Sequence, residues 1–291
     1  MNPLPRFGMS PPARLPASLA AAAICGAATA GELLSASFPA GAISTSELSG
    51  VQAEICRNHL FDPAGTSVKL PAGYRLLRAE EVAASDATVA ALLRANAVPK
   101  NHAFGSLCFV SASTFIVDGV RLSPDPMPLA FWWVAADGPL HATMRGKARW
   151  IQIGSWYPRE SQRFDSITRT DPMAQFTNIT VERIAPDAWR LSLALPSETV
   201  HAEVHVTSPG TPSNSTQPGY MSVPMSGDSA GFFSVYAYIG HSHRTARGSW
   251  RTTGTGTFTS SFAIQAPAGS FETVFQEGWT GHSALYRFSS R

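Results

Sequence analysis

The sequence is poor in charge and poorer still in lysine. Of its 291 residues, 14% are charged, and 22 basic side chains against 20 acidic ones leave a formal net charge of +2. Lysine occurs only at Lys69, Lys100 and Lys147, so 22 − 3 = 19 of the basic residues are arginines. No Lys/Arg cluster runs along the chain, which argues against a nucleic-acid partner, because binding phosphates needs a concentrated basic surface. None of the three lysines sits in an apolar, pKa-lowering setting, which leaves little scope for Schiff-base chemistry. No run of 18 or more apolar residues exists, so no transmembrane helix is expected. A nucleophile elbow is missing too: Gly105-Ser106-Leu107-Cys108 lacks the second glycine of Gly-x-Ser-x-Gly. Gly254-Thr255-Gly256-Thr257 is no phosphate loop either; it reads as a polar-faced strand with no helix or lysine after it.

What is present is apolar mass. Hydrophobic residues make up 44% and aromatics 10%, enough buried surface to offset the entropy of ordering a backbone. Residues 1–30 read as an export signal or a disordered Ala/Pro tail. Arg6 and Arg14 supply the positive region, Leu15 to Ala28 the apolar stretch, and Ala28-Thr29-Ala30 the cleavage site. Cleavage there removes Cys25 and leaves Cys56 and Cys108, either a disulfide in an oxidising compartment or two buried thiols. The chain is then secreted or periplasmic, or cytoplasmic if the N-terminus is retained.

Helical signals are confined to residues 31–103, read as a segment packed on the rest. Ser44-x-x-Glu47 forms a capping box before Leu48, Val51 and Ile55, predicting a helix near 45–58. Val82, Val89, Leu92 and Leu93 predict a second helix over Glu80–Asn96, ending before Pro99. From 104 to 291 the pattern is strand-like: ten or so short Val/Ile/Phe/Trp/Thr-rich runs separated by Gly, Pro, Asp and Ser. This predicts an all-β fold, an antiparallel β-barrel or sandwich with two short N-terminal helices. Residues 208–229 are too polar and Pro-rich to pack, and are expected to be a surface loop, a lid or a partner-binding segment.

Gly154-Ser155-Trp156 and Gly248-Ser249-Trp250 repeat a tripeptide 94 residues apart, each beside strand-like sequence. Gly154-Ser155-Trp156-Tyr157 is superficially similar to the Gly-x-Trp near the start of lipocalin barrels, a resemblance of four residues. It implies a lipocalin-like or duplicated barrel. Barrels like acetoacetate decarboxylase match in size and β content, but their Gly-Arg-Glu signature and paired lysines are absent.

Histidine forms the most suggestive constellation. On a strand, His201, Glu203 and His205 share one face and Ala202 and Val204 the other. Residues two apart on a strand are about 6.6 to 7 Å apart, which suits ligands converging on one metal. His241 and His243 repeat the spacing. If the two strands are neighbours, His201, Glu203, His205, His241 and His243 make a metal site, with zinc the first guess; otherwise no cofactor is implied. No carboxylate follows His243, and Arg244 beside it would repel a cation. Without metal, His241 and His243 with Arg244 form a candidate acid–base and anion-binding group. His282, between glycine-rich turns, is a candidate to join them.

Phe131-Trp132-Trp133-Val134 is apolar on both faces, as expected of a strand packed on both sides or lining a lumen. Trp132, Trp133, Tyr236, Tyr238 and Trp250 are the candidate ligand-binding aromatics. The expected function is an exported β-barrel that binds a small, partly apolar molecule in an aromatic-lined cavity. The alternative is a His-dependent lyase, isomerase or hydrolase on the same barrel.

Overall fold

The computed structural model describes residues 44–65, 70, 74–84, 89–90, 93–94, 101–122, 124–137, 150–161, 167, 171, 173–209, 211–213, 217–223, 230–239, 241–263, 273–278 and 280–289. For residues 150, 211–241, 243 and 283–289 it describes the backbone course within those spans. The candidate export signal lies outside the described residues.

Strands dominate. In chain order they are β1 (Ser44–Phe61), β2 (Arg75–Leu76), β3 (Ala103–Val117), β4 (Val120–Leu122), β5 (Met127–Asp137) and β6 (Trp150–Pro158). Next come β7 (Ala174–Thr177), β8 (Ile179–Ala185), β9 (Ala188–Ala194), β10 (Glu198–Val206), β11 (Thr211–Ser213) and β12 (Gln217–Val223). The last four are β13 (Ala230–Ile239), β14 (His241–Gly254), β15 (Thr273–Glu277) and β16 (Thr280–Ser289). Among the described residues helix is short: α1 (Ala79–Ala83) and α2 (Thr257–Phe262), with helical residues also at 89–90 and 93–94, within the helix expected over 80–96. No helix among the described residues is long and apolar enough to cross a membrane.

The all-β expectation holds, and one mixed sheet closes almost completely into a barrel. A circuit of ladders runs β1–β3–β5–β6–β12–β13–β16 and returns to β1. The ladders are antiparallel except where β6 runs parallel to β7 and to β12. Long β1 serves two walls. Ser44–Leu48 pair with β16 in the ring, while Glu54–Arg57 pair with β15. From β15 the sheet continues through β14, β10 and β9 to β8. That second wall packs its apolar face onto β1, β3, β5 and β6 around the largest core, which holds Ile55, Leu107, Phe109, Trp132, Trp189, Leu191, Val200, Val204 and Phe275. The opposite face of β3, β5 and β6 faces the ring and carries Val110, Leu129, Phe131 and Tyr157.

Three expectations are corrected. Residues 45–58 are not helical but the middle of β1. Val51, Ala53 and Ile55 are buried between the more exposed Gln52 and Glu54, so alternation overrides the helical spacing of Leu48, Val51 and Ile55. The supposed cap is used otherwise, since the Ser44 hydroxyl donates to the Asp118 carboxylate at 2.9 Å. Conversely, α2 interrupts what read as a continuous strand after Gly254. The N–H groups of its first turn are satisfied by Glu198, 60 residues away, which no local pattern announces. Finally, β11 and β12 lie within 208–229, and β12 is a stave of the ring rather than part of a lid.

The repeated tripeptide has a steric explanation. A Cβ on Gly154 would stand 2.5 Å from the Trp156 ring, and one on Gly248 would overlap Trp250 Nε1. In both places the tryptophan folds back along its own strand over the glycine two residues earlier, on the same face. Gly154→Ala and Gly248→Ala should each cost about 2 kcal/mol through overpacking. The second should cost more, because Trp250 also donates to Thr273 Oγ1 at 3.0 Å. Melting temperatures check this, and wild-type melting in either variant would refute it.

Candidate functional site

Strand β5 puts chemistry on both of its faces. On the face toward the second wall, Trp132 Nε1 donates to His59 Nε2 at 3.2 Å, and His59 Nδ1 lies 3.2 Å from the Arg57 carbonyl oxygen. Only the neutral tautomer with the proton on Nδ1 satisfies both bonds. Burial pushes the His59 pKa down to about 3; the hydrogen bond to Arg57 opposes this and the Arg57 charge reinforces it. The Arg57 guanidinium lies 4.0 Å from the Phe262 ring centroid and donates to the Phe262 carbonyl at 3.3 Å. Trp250, Phe61 and Phe258 complete an aromatic shell here. Gly105 permits it, since a Cβ there would meet Trp132 Nε1 at 2.9 Å and His59 Nε2 at 3.0 Å.

On the ring face, a bulge gathers polar groups. Trp132 pairs with Gly154 but Trp133 with Gln152, so Ile153 is the extra residue on β6. The bulge places Gln152, Ser155 and Tyr157 on the same face as Phe131 and Trp133. All three approach Asp171, at the end of the crossover from β6 to β7. Asp171 Oδ2 accepts from Tyr157 Oη at 3.0 Å and Gln152 Nε2 at 3.1 Å, and Oδ1 accepts the Met173 N–H at 3.0 Å. Burial raises the Asp171 pKa against the opposing pull of Ser155, Tyr157, the Met173 N–H and Gln152. Burial and then the Asp171 charge push the Tyr157 phenol well above its ordinary value. Phe115 stacks on Tyr157 at 6.1 Å, and Phe131 stands edge-on to it at 6.4 Å. Phe131 and Trp133, 5.8 Å apart, are only half-buried.

The candidate residues named from sequence separate accordingly. Trp133 is on the ring face, whereas Trp132 is in the core toward the second wall and Trp250 packs, partly buried, against that core. Tyr236 and Tyr238 are on β13, a stave of the ring, at register positions opposite Ser283 and Gly281; their side chains lie outside the described residues. His201, Glu203 and His205 do share one face of β10, with Ala202 and Val204 buried on the other. Strand β14 is the neighbour of β10, but His201 pairs with Arg251, Glu203 with Ser249 and His205 with Arg247. That ladder ends at Val206 opposite Ala246, whereas His243 pairs with Thr211 and Gln276. His243 lies four positions along β14 from Arg247, the partner of His205, about 13 Å of strand.

His205 Nε2 is 3.2 Å from Glu203 Oε1 on an exposed face whose cross-strand neighbours include two arginines, a poor setting for a divalent cation. The side chains of His241 and His243 lie outside the described residues. Among the described residues, the one cluster with metal-ligand spacing is Glu54, Cys56 and Cys108, and its two sulfurs are joined in a disulfide. Arg244 is engaged by Asp187 at 2.8 Å, Glu277 at 3.4 Å and the Ser208 carbonyl at 2.7 Å, an ion-pair clamp across strands. His282 stands 3.7 Å from Glu47, and burial lowers its pKa.

Sequence reasoning missed Arg57, His59, Gln152, Tyr157 and Asp171. A signal existed for the first two, because the buried series Ala53, Ile55 continues in register to Arg57 and His59. None existed for Asp171, which a bulge and a crossover bring to β6.

No known family profile matches this chain, and no curated protein matches it. Among solved structures, a Nitrosomonas europaea protein described as a candidate AttH is 12% identical, with a TM-score of 0.22. The match covers 84% of this chain and 53% of the other, so this chain spans about half the length of that protein, and at that score the likeness carries no argument.

Proposed function

We propose that this protein binds a small, partly apolar molecule inside the ring of strands, against Phe131 and Trp133. One observation carries the reading: these two aromatics stay half-buried while the polar groups beside them, Gln152, Tyr157 and Asp171, are buried. An apolar wall with a few convergent polar groups is what small-molecule sites are made of. The disulfide between Cys56 and Cys108 fits a chain that works outside the reducing cytoplasm. A catalytic reading built on His241, His243 and Arg244 is less favoured, because Arg244 is held in two ion pairs.

The uncharged probe N-phenyl-1-naphthylamine tests the reading by fluorescence titration. Trp133→Ala and Phe131→Ala should each weaken binding about tenfold, roughly the 1.4 kcal/mol expected of an aromatic contact. Arg251→Ala, on the outer face of the second wall, should change nothing. Failure to saturate, or indifference to Trp133→Ala, would refute the proposal.

A further inference from the structure

Six residues make α2 too short to be stable alone, so tertiary contacts hold it. At its start, the Glu198 carboxylate accepts the N–H of Phe258 at 3.2 Å, the N–H of Thr259 at 2.7 Å and the Thr259 hydroxyl at 2.9 Å. At its end, Arg57 donates to the Phe262 carbonyl. Between these ties the helix drives Phe258 into the core. The Phe258 ring stands 4.8 Å from Trp132, 5.7 Å from His59 and 6.4 Å from Trp156. These neighbours belong to β1, β5 and β6, so one wall presents an aromatic socket and α2 fills it. The chain enters α2 through Gly254, whose φ of +91° suits glycine and few other residues.

Of the three rings around Phe258, one keeps a polar atom without an acceptor. Trp132 donates to His59 and Trp250 to Thr273, but the Trp156 indole N–H is buried and has no acceptor among the described residues. Buried donors are nearly always paired, and an exception calls for an explanation. We infer that the socket filled by Phe258 is a binding site for a neutral aromatic molecule bearing a carbonyl or similar acceptor, with α2 as its displaceable internal occupant. The ligand ring takes the place of the Phe258 ring, so apolar burial is conserved. The ligand acceptor takes the Trp156 N–H, which Phe258 cannot satisfy; that bond is gained on exchange, against the ties from Glu198 and Arg57 that displacing α2 releases.

The naphthyl ketone Prodan is the probe, with naphthalene as the ring without the acceptor. In the wild type, saturating Prodan should raise amide hydrogen exchange at 256–262 several-fold, because the helix is displaced. Phe258→Ala should bind Prodan at least tenfold tighter, and Phe258→Leu, which conserves more of the core, should show the same direction. Trp156→Phe keeps an aromatic ring but removes the N–H; it should weaken Prodan about tenfold and leave naphthalene unchanged. Protection of 256–262 by Prodan, unchanged affinity in both Phe258 variants, or indifference to Trp156→Phe would each overturn the inference. Loss of all Prodan binding in Trp133→Ala would overturn it too, placing the probe in the ring and leaving the proposed function standing.

Discussion

Acidification from pH 6.5 toward pH 3 should unfold this protein largely through one residue, His59. The folded state holds its imidazole neutral with a pKa of about 3, against 6.5 for an ordinary histidine. Between those values the unfolded chain binds a proton that the folded chain refuses. The stability contributed by neutral His59 is therefore fully present above pH 6.5 and is lost as pH falls toward 3. That difference corresponds to about 5 kcal/mol at the acid limit, and going from pH 6.5 to 4.5 already costs about 2 kcal/mol. His59→Gln keeps an acceptor for Trp132 Nε1 but has no proton to gain. Its urea-unfolding free energy should change less than that of the wild type by about 2 kcal/mol between pH 6.5 and 4.5. Comparing the two proteins at each pH cancels the titration of other groups, including Asp171, whose raised pKa acts in the opposite sense. Parallel stability curves would show that His59 is not held neutral.

The second large effect is the disulfide. Cys56 and Cys108 face each other across the β1–β3 ladder, 52 residues apart in sequence. Closing a loop of that length restricts the unfolded chain by about 4 kcal/mol in the chain-entropy account. Positions 56 and 108 sit in an extensive ladder that does not depend on the sulfurs, so the folded state of the Cys56→Ala/Cys108→Ala variant should keep the same strand register. Its melting temperature should drop by about 10 °C, and reduction of the wild type should reproduce the drop. An unchanged denaturation midpoint after complete reduction would contradict this account.

Most of the strands were readable because their signal is local. Val200, Ala202, Val204 and Val206 alternate with His201, Glu203 and His205, and a half-buried strand has no other way to arrange such a series. The same held for the two faces of Phe131–Val134. Helix α2 and strand β1 were misread because non-local partners decide them: a glutamate from β10 caps the first, and β3, β15 and β16 pair along the second. Sequence alone thus determined a weakly charged, aromatic-rich all-β chain with opposed faces on each strand. Tertiary structure decided which faces meet. The single extra residue Ile153 turns Gln152 toward Asp171, and the β10–β14 register sets His205 opposite Arg247 rather than His243. Both depend on where ladders shift by one residue or end, and since side chains alternate with period two, that choice moves a residue to another face or another partner without leaving a trace in composition or spacing.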